Sequence, residues 1–151
     1  MWLKRAKPSR LWIGGQGRDW EKRMLTALKA GLVYFAIVFA AGFALGAVRV
    51  LYVIPHIGET GAVLIELPLM LVLSWWVCGA VLRRYAVPQH MGHRALMGLV
   101  SFVLLMGAEF ALAVLAFGRD PAAFLDALAT PNGAIGLVGQ IAFAMIPLMR
   151  N

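Results

Sequence analysis

Four apolar runs, three of them longer than twenty residues, dominate this chain and leave few ways for it to fold. They extend from Ala30 to Ile54, Gly61 to Leu82, Ala95 to Phe117 and Gly133 to Met149. About 20 apolar residues in an α-helix cross the roughly 30 Å hydrocarbon core of a bilayer. The fourth run, about 17 residues long, is at the lower limit for a span. Backbone N–H and C=O groups in hydrocarbon need internal partners, which a helix supplies along its whole length. None of the runs alternates polar and apolar residues as a barrel strand would. The expectation is an all-α integral membrane protein: a four-transmembrane-helix bundle over residues 30–151, preceded by a basic amphipathic tail over residues 1–29.

Composition agrees. The 151 residues are 62% hydrophobic and 14% charged, with a mean hydropathy of +0.80. A soluble domain is nearer half apolar and one quarter charged. The net charge of +7 is unevenly placed, because eight of the fourteen Lys and Arg residues lie in the first 29 positions. Such a juxtamembrane cluster is suited to anionic lipid headgroups. No nucleic-acid motif accompanies it, so nucleic acid is not an expected partner. Trp2, Leu3, Leu11, Trp12, Ile13 and Trp20 sit among the cations, as in a segment lying on a membrane surface. Gly14-Gly15-Gln16-Gly17 is expected to break that segment in two.

Loop charge sets the direction. Lys and Arg cluster in the tail, then at Arg83, Arg84 and Arg94, then at Arg150, whereas His56 to Thr60 has none and Gly118 to Asn132 has only Arg119. Cytoplasmic loops carry the excess of Lys and Arg, so both termini are expected in the cytoplasm. The outer loop after the third run begins a short helix at Asp120-Pro121, with Asp as cap and Pro at the first position. That helix, about residues 121–130, is expected to lie along the periplasmic interface.

Each run contains one strongly polar side chain: Arg49, Glu66, Glu109 and Gln140. At 1.5 Å per residue they lie about 8, 8, 12 and 10 Å from the outer end of their runs. All four therefore share one level in the outer half. Intramembrane charges usually face the bundle interior and pair. Arg49 and Glu66, on consecutive helices joined by a short loop, are the natural pair. Glu109 either shares Arg49 or has no cation, and Gln140 can donate to either carboxylate. Gly42, Gly46 and Arg49 lie on one face of the first helix, and Gly133, Gly136 and Gln140 on one face of the fourth. Such glycines let another backbone approach closely. Pro68 removes the hydrogen bond to the Leu64 carbonyl and is expected to kink the second helix.

Other candidates carry less. His90 and His93 lack a third metal ligand and read as solvated loop residues, so no metal site is expected. Cys78 alone gives no disulfide and reads as small apolar packing. Ser74 and Ser101 have no histidine near them in sequence. No Walker loop, nucleophile elbow, HExxH or GxGxxG is present, so neither an enzyme nor a cofactor is expected.

The stretch Gly46-Ala-Val-Arg49-Val-Leu-Tyr-Val-Ile-Pro55, with Gly58-Glu59 and Glu66-Leu-Pro68-Leu-Met70, resembles small four-span inner-membrane proteins of proteobacteria. The match covers the first hairpin. It implies a bacterial inner membrane and brings no activity and no catalytic residue with it.

Two roles fit these features. The first is a non-enzymatic accessory or scaffold subunit that associates with copies of itself or with a larger membrane complex through the glycine faces. The second is a small transporter or channel component in which Glu66 and Glu109 bind protons or cations and Arg49 supplies the counter-charge.

Overall fold

The computed structural model describes residues 13–150, and these are helical almost throughout, with no strand among them. Helix α1 spans Ile13–Val48 and runs straight through Gly14, Gly15 and Gly17. The expected break at these glycines is therefore absent. Glycine weakens a helix by lost chain entropy but does not bar helical backbone. The tail residues Trp2, Leu3, Leu11 and Trp12 lie outside the described residues.

A π-helical stretch, Arg49–Val53, joins α1 to α2, Ile54–Tyr85. The expected loop at His56 to Thr60 shrinks to a single residue. Gly58 alone leaves helical geometry, at φ 77° and ψ 170°. That conformation favours a residue without a Cβ. The chain folds back there: Arg49 meets Glu66, and Gly42 meets the tip of Met70, in pairs nearly symmetric about Gly58. Pro68 stays within helical backbone, so the interruption in this helical run lies ten residues earlier than the expected kink. Helix α2 ends on Ala86 in the left-handed conformation.

Helix α3, Met91–Ala111, starts on a cap from the His90 ring, which accepts from the Gly92 N–H at 3.3 Å, and ends in a second π stretch, Leu112–Ala116. Helix α4, Pro121–Leu128, is capped by Asp120, whose carboxylate accepts from the Ala122 N–H at 3.2 Å. Helix α5, Pro131–Met149, is capped by Thr130, whose hydroxyl accepts from the Gly133 N–H at 3.1 Å. Three helical segments are long and apolar enough to cross a membrane: Asp19–Tyr85, which contains the reversal at Gly58, Met91–Ala116 and Pro131–Met149.

Helix α1 packs between α2 and α3, and α5 closes the ring by packing on the same two helices. The inward stripe of α1 is Ala27, Ala30, Gly31, Tyr34 and Val38, and that of α3 is His93, Arg94, Met97, Gly98, Ser101 and Leu105. Spacings of three and four place these residues on one helix face. The stripes are mostly small, so backbones come close. A Cβ on Gly31 would lie 2.9 Å from the Met97 carbonyl oxygen, and one on Gly98 would strike the Ala144 carbonyl of α5. The Ser101 hydroxyl lies 2.8 Å from its own-helix Met97 carbonyl and 2.9 Å from the Gly31 carbonyl across the interface. Tyr34 crosses the middle, stacking on Phe143 at 4.5 Å and donating from its hydroxyl to the Phe143 carbonyl at 3.3 Å. The outward faces are apolar, with Leu64, Ile65, Val72, Trp76, Leu99, Val103 and Val138 all exposed.

The glycines divide accordingly. Gly42 touches Met70, and Gly133 packs against the end of α4, but Gly46 and Gly136 meet nothing within 4 Å. Within the chain, close helix approach falls at Gly31, Gly98 and Gly139 instead, because these face the ring interior or a neighbouring side chain. Replacing Gly98 with Ala should push α3 off α5 and cost about 1–3 kcal/mol. Gly136→Ala should stay within about 0.5 kcal/mol of the parent. Unfolding of the two purified variants compares them, and equal stabilities would contradict this packing.

Candidate functional site

The polar layer assembles on four helices near the Gly58 end. Arg49 opens the first π stretch, Glu66 lies on α2, Glu109 on α3 and Gln140 on α5. Arg49 Nε is 3.1 Å from Glu66 Oε2. This Nε is buried, yet its N–H makes no aligned hydrogen bond, so the contact is an ion pair rather than a directed bond. Both side chains keep some exposure, 34% for Arg49 and 19% for Glu66. Gln140 Nε2 donates to Glu109 Oε2 at 2.6 Å.

The structure thus joins the four residues as two pairs, one closing the α1–α2 hairpin and one tying α3 to α5. Glu109 has an amide as its direct partner rather than Arg49. One buried polar atom of the layer has no partner, Gln140 Oε1, an acceptor. Thr60 extends the polar contacts toward the Gly58 end, donating from its hydroxyl to Asn132 Oδ1 at 3.1 Å.

Chemically, the layer can fasten helices and can hold a proton or a small cation on its carboxylates. It contains no nucleophile–base pair, and no group of three or more His, Cys, Asp or Glu suited to a metal occurs among the described residues. Two shallow hollows lie elsewhere. One, between α3 and α5, is apolar and lined by Leu99, Phe102, Ile141 and Met145; the other, between α1 and α2, is lined by Val33, Ile37, Val77 and Val81 with Arg84 and Tyr85.

Sequence reasoning missed a second polar cluster at the opposite end. His93 is not a solvated loop residue: it lies in the first turn of α3 and is 4% exposed. Arg94, read as the flank of the third run, is 6% exposed and donates from an Nη to the Pro147 carbonyl at 3.5 Å. Arg150 donates to the Trp75 carbonyl and lies over the Trp75 ring, 5.1 Å from its centroid. The signal available was periodicity, since His93 and Arg94 fall three and four residues before Met97 and so on its face.

Removing one partner of the Arg49–Glu66 pair should strand the other. Arg49→Leu is expected to cost about 1–3 kcal/mol, less than a fully buried pair would because both groups are partly exposed. Arg49→Leu with Glu66→Leu should recover most of that loss. A double-mutant cycle on thermal unfolding measures both, and additive losses would mean that the pair contributes no coupling.

Set against known proteins, the chain matches no protein-family model, no curated protein and no solved structure.

Proposed function

We propose that this chain is a bacterial inner-membrane protein whose four long helices form a transmembrane bundle with cytoplasmic termini, and that it serves as a non-enzymatic accessory or scaffold subunit. The membrane part of this reading rests on apolar outward faces and on the length and composition of the helical segments. Large exposed apolar surfaces mark contact with lipid or with partner proteins. The resemblance of the first hairpin to four-span proteobacterial proteins favours the same compartment.

The scaffold part rests on one observation: the polar side chains within the spans are engaged with each other. Arg49 meets Glu66, and Gln140 meets Glu109. Interhelical polar contacts hold helices together where lipid removes most of the hydrophobic drive for association. Gly46 and Gly136, open within the single chain, suit contact with a second copy or with a larger complex.

A second reading, a small transporter or channel component, is favoured by the buried Gln140 Oε1, which leaves the layer with an unpartnered acceptor. Glu109→Gln separates the two roles. The amide retains an oxygen to accept from Gln140, so a fastener predicts a melting temperature within a few degrees of the parent and the same co-purifying subunits. A proton-binding role predicts normal melting but loss of proton uptake in proteoliposomes. Alkaline-phosphatase fusions test the topology: activity is expected after Arg119 and not after Arg84, and the reverse pattern would invert the bundle.

A further inference from the structure

Among the described residues, the cluster at the amino end of α3 holds positive charge with no carboxylate paired to it. Arg94 is 94% buried on the 6% exposure of its surface, and its Nε has no hydrogen-bond partner. Its one bond, to the Pro147 carbonyl, is long at 3.5 Å. His93 beside it is 4% exposed, and neither ring nitrogen has a partner. The imidazole instead packs edge-on against Trp20 at 5.4 Å and His90 at 5.7 Å. Arg150 brings a second guanidinium to the same end of the ring, beside Gly79. The acidic side chains nearest in the fold's order, Asp19 and Glu21 on α1, are exposed, and neither pairs with Arg94.

A buried guanidinium without a counter-charge is costly, and unsatisfied donors beside it add to the cost. The arrangement also sits on the positive end of a 21-residue helix. Helix amino ends with cationic side chains favour phosphate, which accepts several charge-assisted hydrogen bonds at once. We infer that Arg94 and His93, with Arg150 as a second cation, form a site for a phosphate-bearing anion. An anionic phospholipid headgroup is the source that suits this place in the fold. Under the membrane reading this end lies at the cytoplasmic headgroups, ringed by the exposed Arg83 and Arg84. Trp20, itself 57% exposed, covers His93 and must swing aside for a ligand to reach the imidazole.

The test uses the full chain, purified in detergent and stripped of lipid. Short-chain phosphatidylglycerol, phosphatidylcholine of equal chain length and inorganic phosphate are added separately, and melting is followed. Saturating phosphatidylglycerol should raise Tm by roughly 5 °C. The rise should vanish in Arg94→Gln and persist in Arg84→Gln, an exposed position at the same end. A rise with inorganic phosphate alone supports the site and assigns a soluble source. Equal rises with phosphatidylcholine and phosphatidylglycerol would overturn it, as would a full rise in Arg94→Gln. If Arg94→Gln does not fold, His93→Gln decides: a rise at least halved supports the site, and an unchanged rise refutes it.

Discussion

Where α1 meets α3 the contact is backbone against backbone, and the remaining packing follows from that closeness. Gly31 sits so near the Met97 carbonyl that a methyl group would crowd it, and the Ser101 hydroxyl bridges carbonyls of both helices. The side chains with almost no exposure include several small ones: Tyr34 and Met97 are the bulkiest, beside Pro147, Cys78, Ser74 and Ser101. Tyr34 reaches across to stack on Phe143 of α5. Many bulky apolar residues lie on the outside, where they face lipid under the membrane reading. In that setting close approach and polar bonds, rather than burial of grease, hold helices together.

The two polar clusters mark the two ends of the helix ring in different ways. Near Gly58, opposite charges and an amide pair satisfy one another across helices. Near Arg150, cations gather on helix carbonyls, with no acid paired to them among the described residues. The first cluster is consistent with a fastener that is complete within the chain. The second is completed by something anionic. A protein with a closed end and an open, basic end has a polarity of its own, independent of the loop charges that set its proposed direction.

Much of the architecture was legible from the sequence because the relevant signal was local. Run length and flanking charge located the long helices, and rise per residue brought Arg49, Glu66, Glu109 and Gln140 to one level. What stayed hidden depends on which helices are neighbours. Glu109 could have turned to Arg49 or to Gln140, and only the order of helices around the ring selects Gln140. Gly58 looked like one residue of a loop, since nothing in His56 to Thr60 shows that helix resumes on both sides of it. Arg94 looked like a flanking charge because its position at the run's edge hid its inward face. Glycine spacing marked Gly46 and Gly136 as readily as Gly98, although only the last faces a backbone within the chain.

The two π stretches have a consequence of their own. The Ile54 N–H returns to the Arg49 carbonyl, and the Phe117 N–H to the Leu112 carbonyl, so each stretch carries one residue more than an α-turn would. Each acts as a length buffer placed just beyond the polar layer. Removing one residue from either would rewind it to α-helix, and the loss would be taken up where it occurs, leaving the helix beyond near its present facing. The tolerance of this chain to deletion is therefore lopsided: a residue lost within a π stretch is absorbed locally, whereas one lost from the α-helix before Arg49 would turn the polar layer by about 100° out of register.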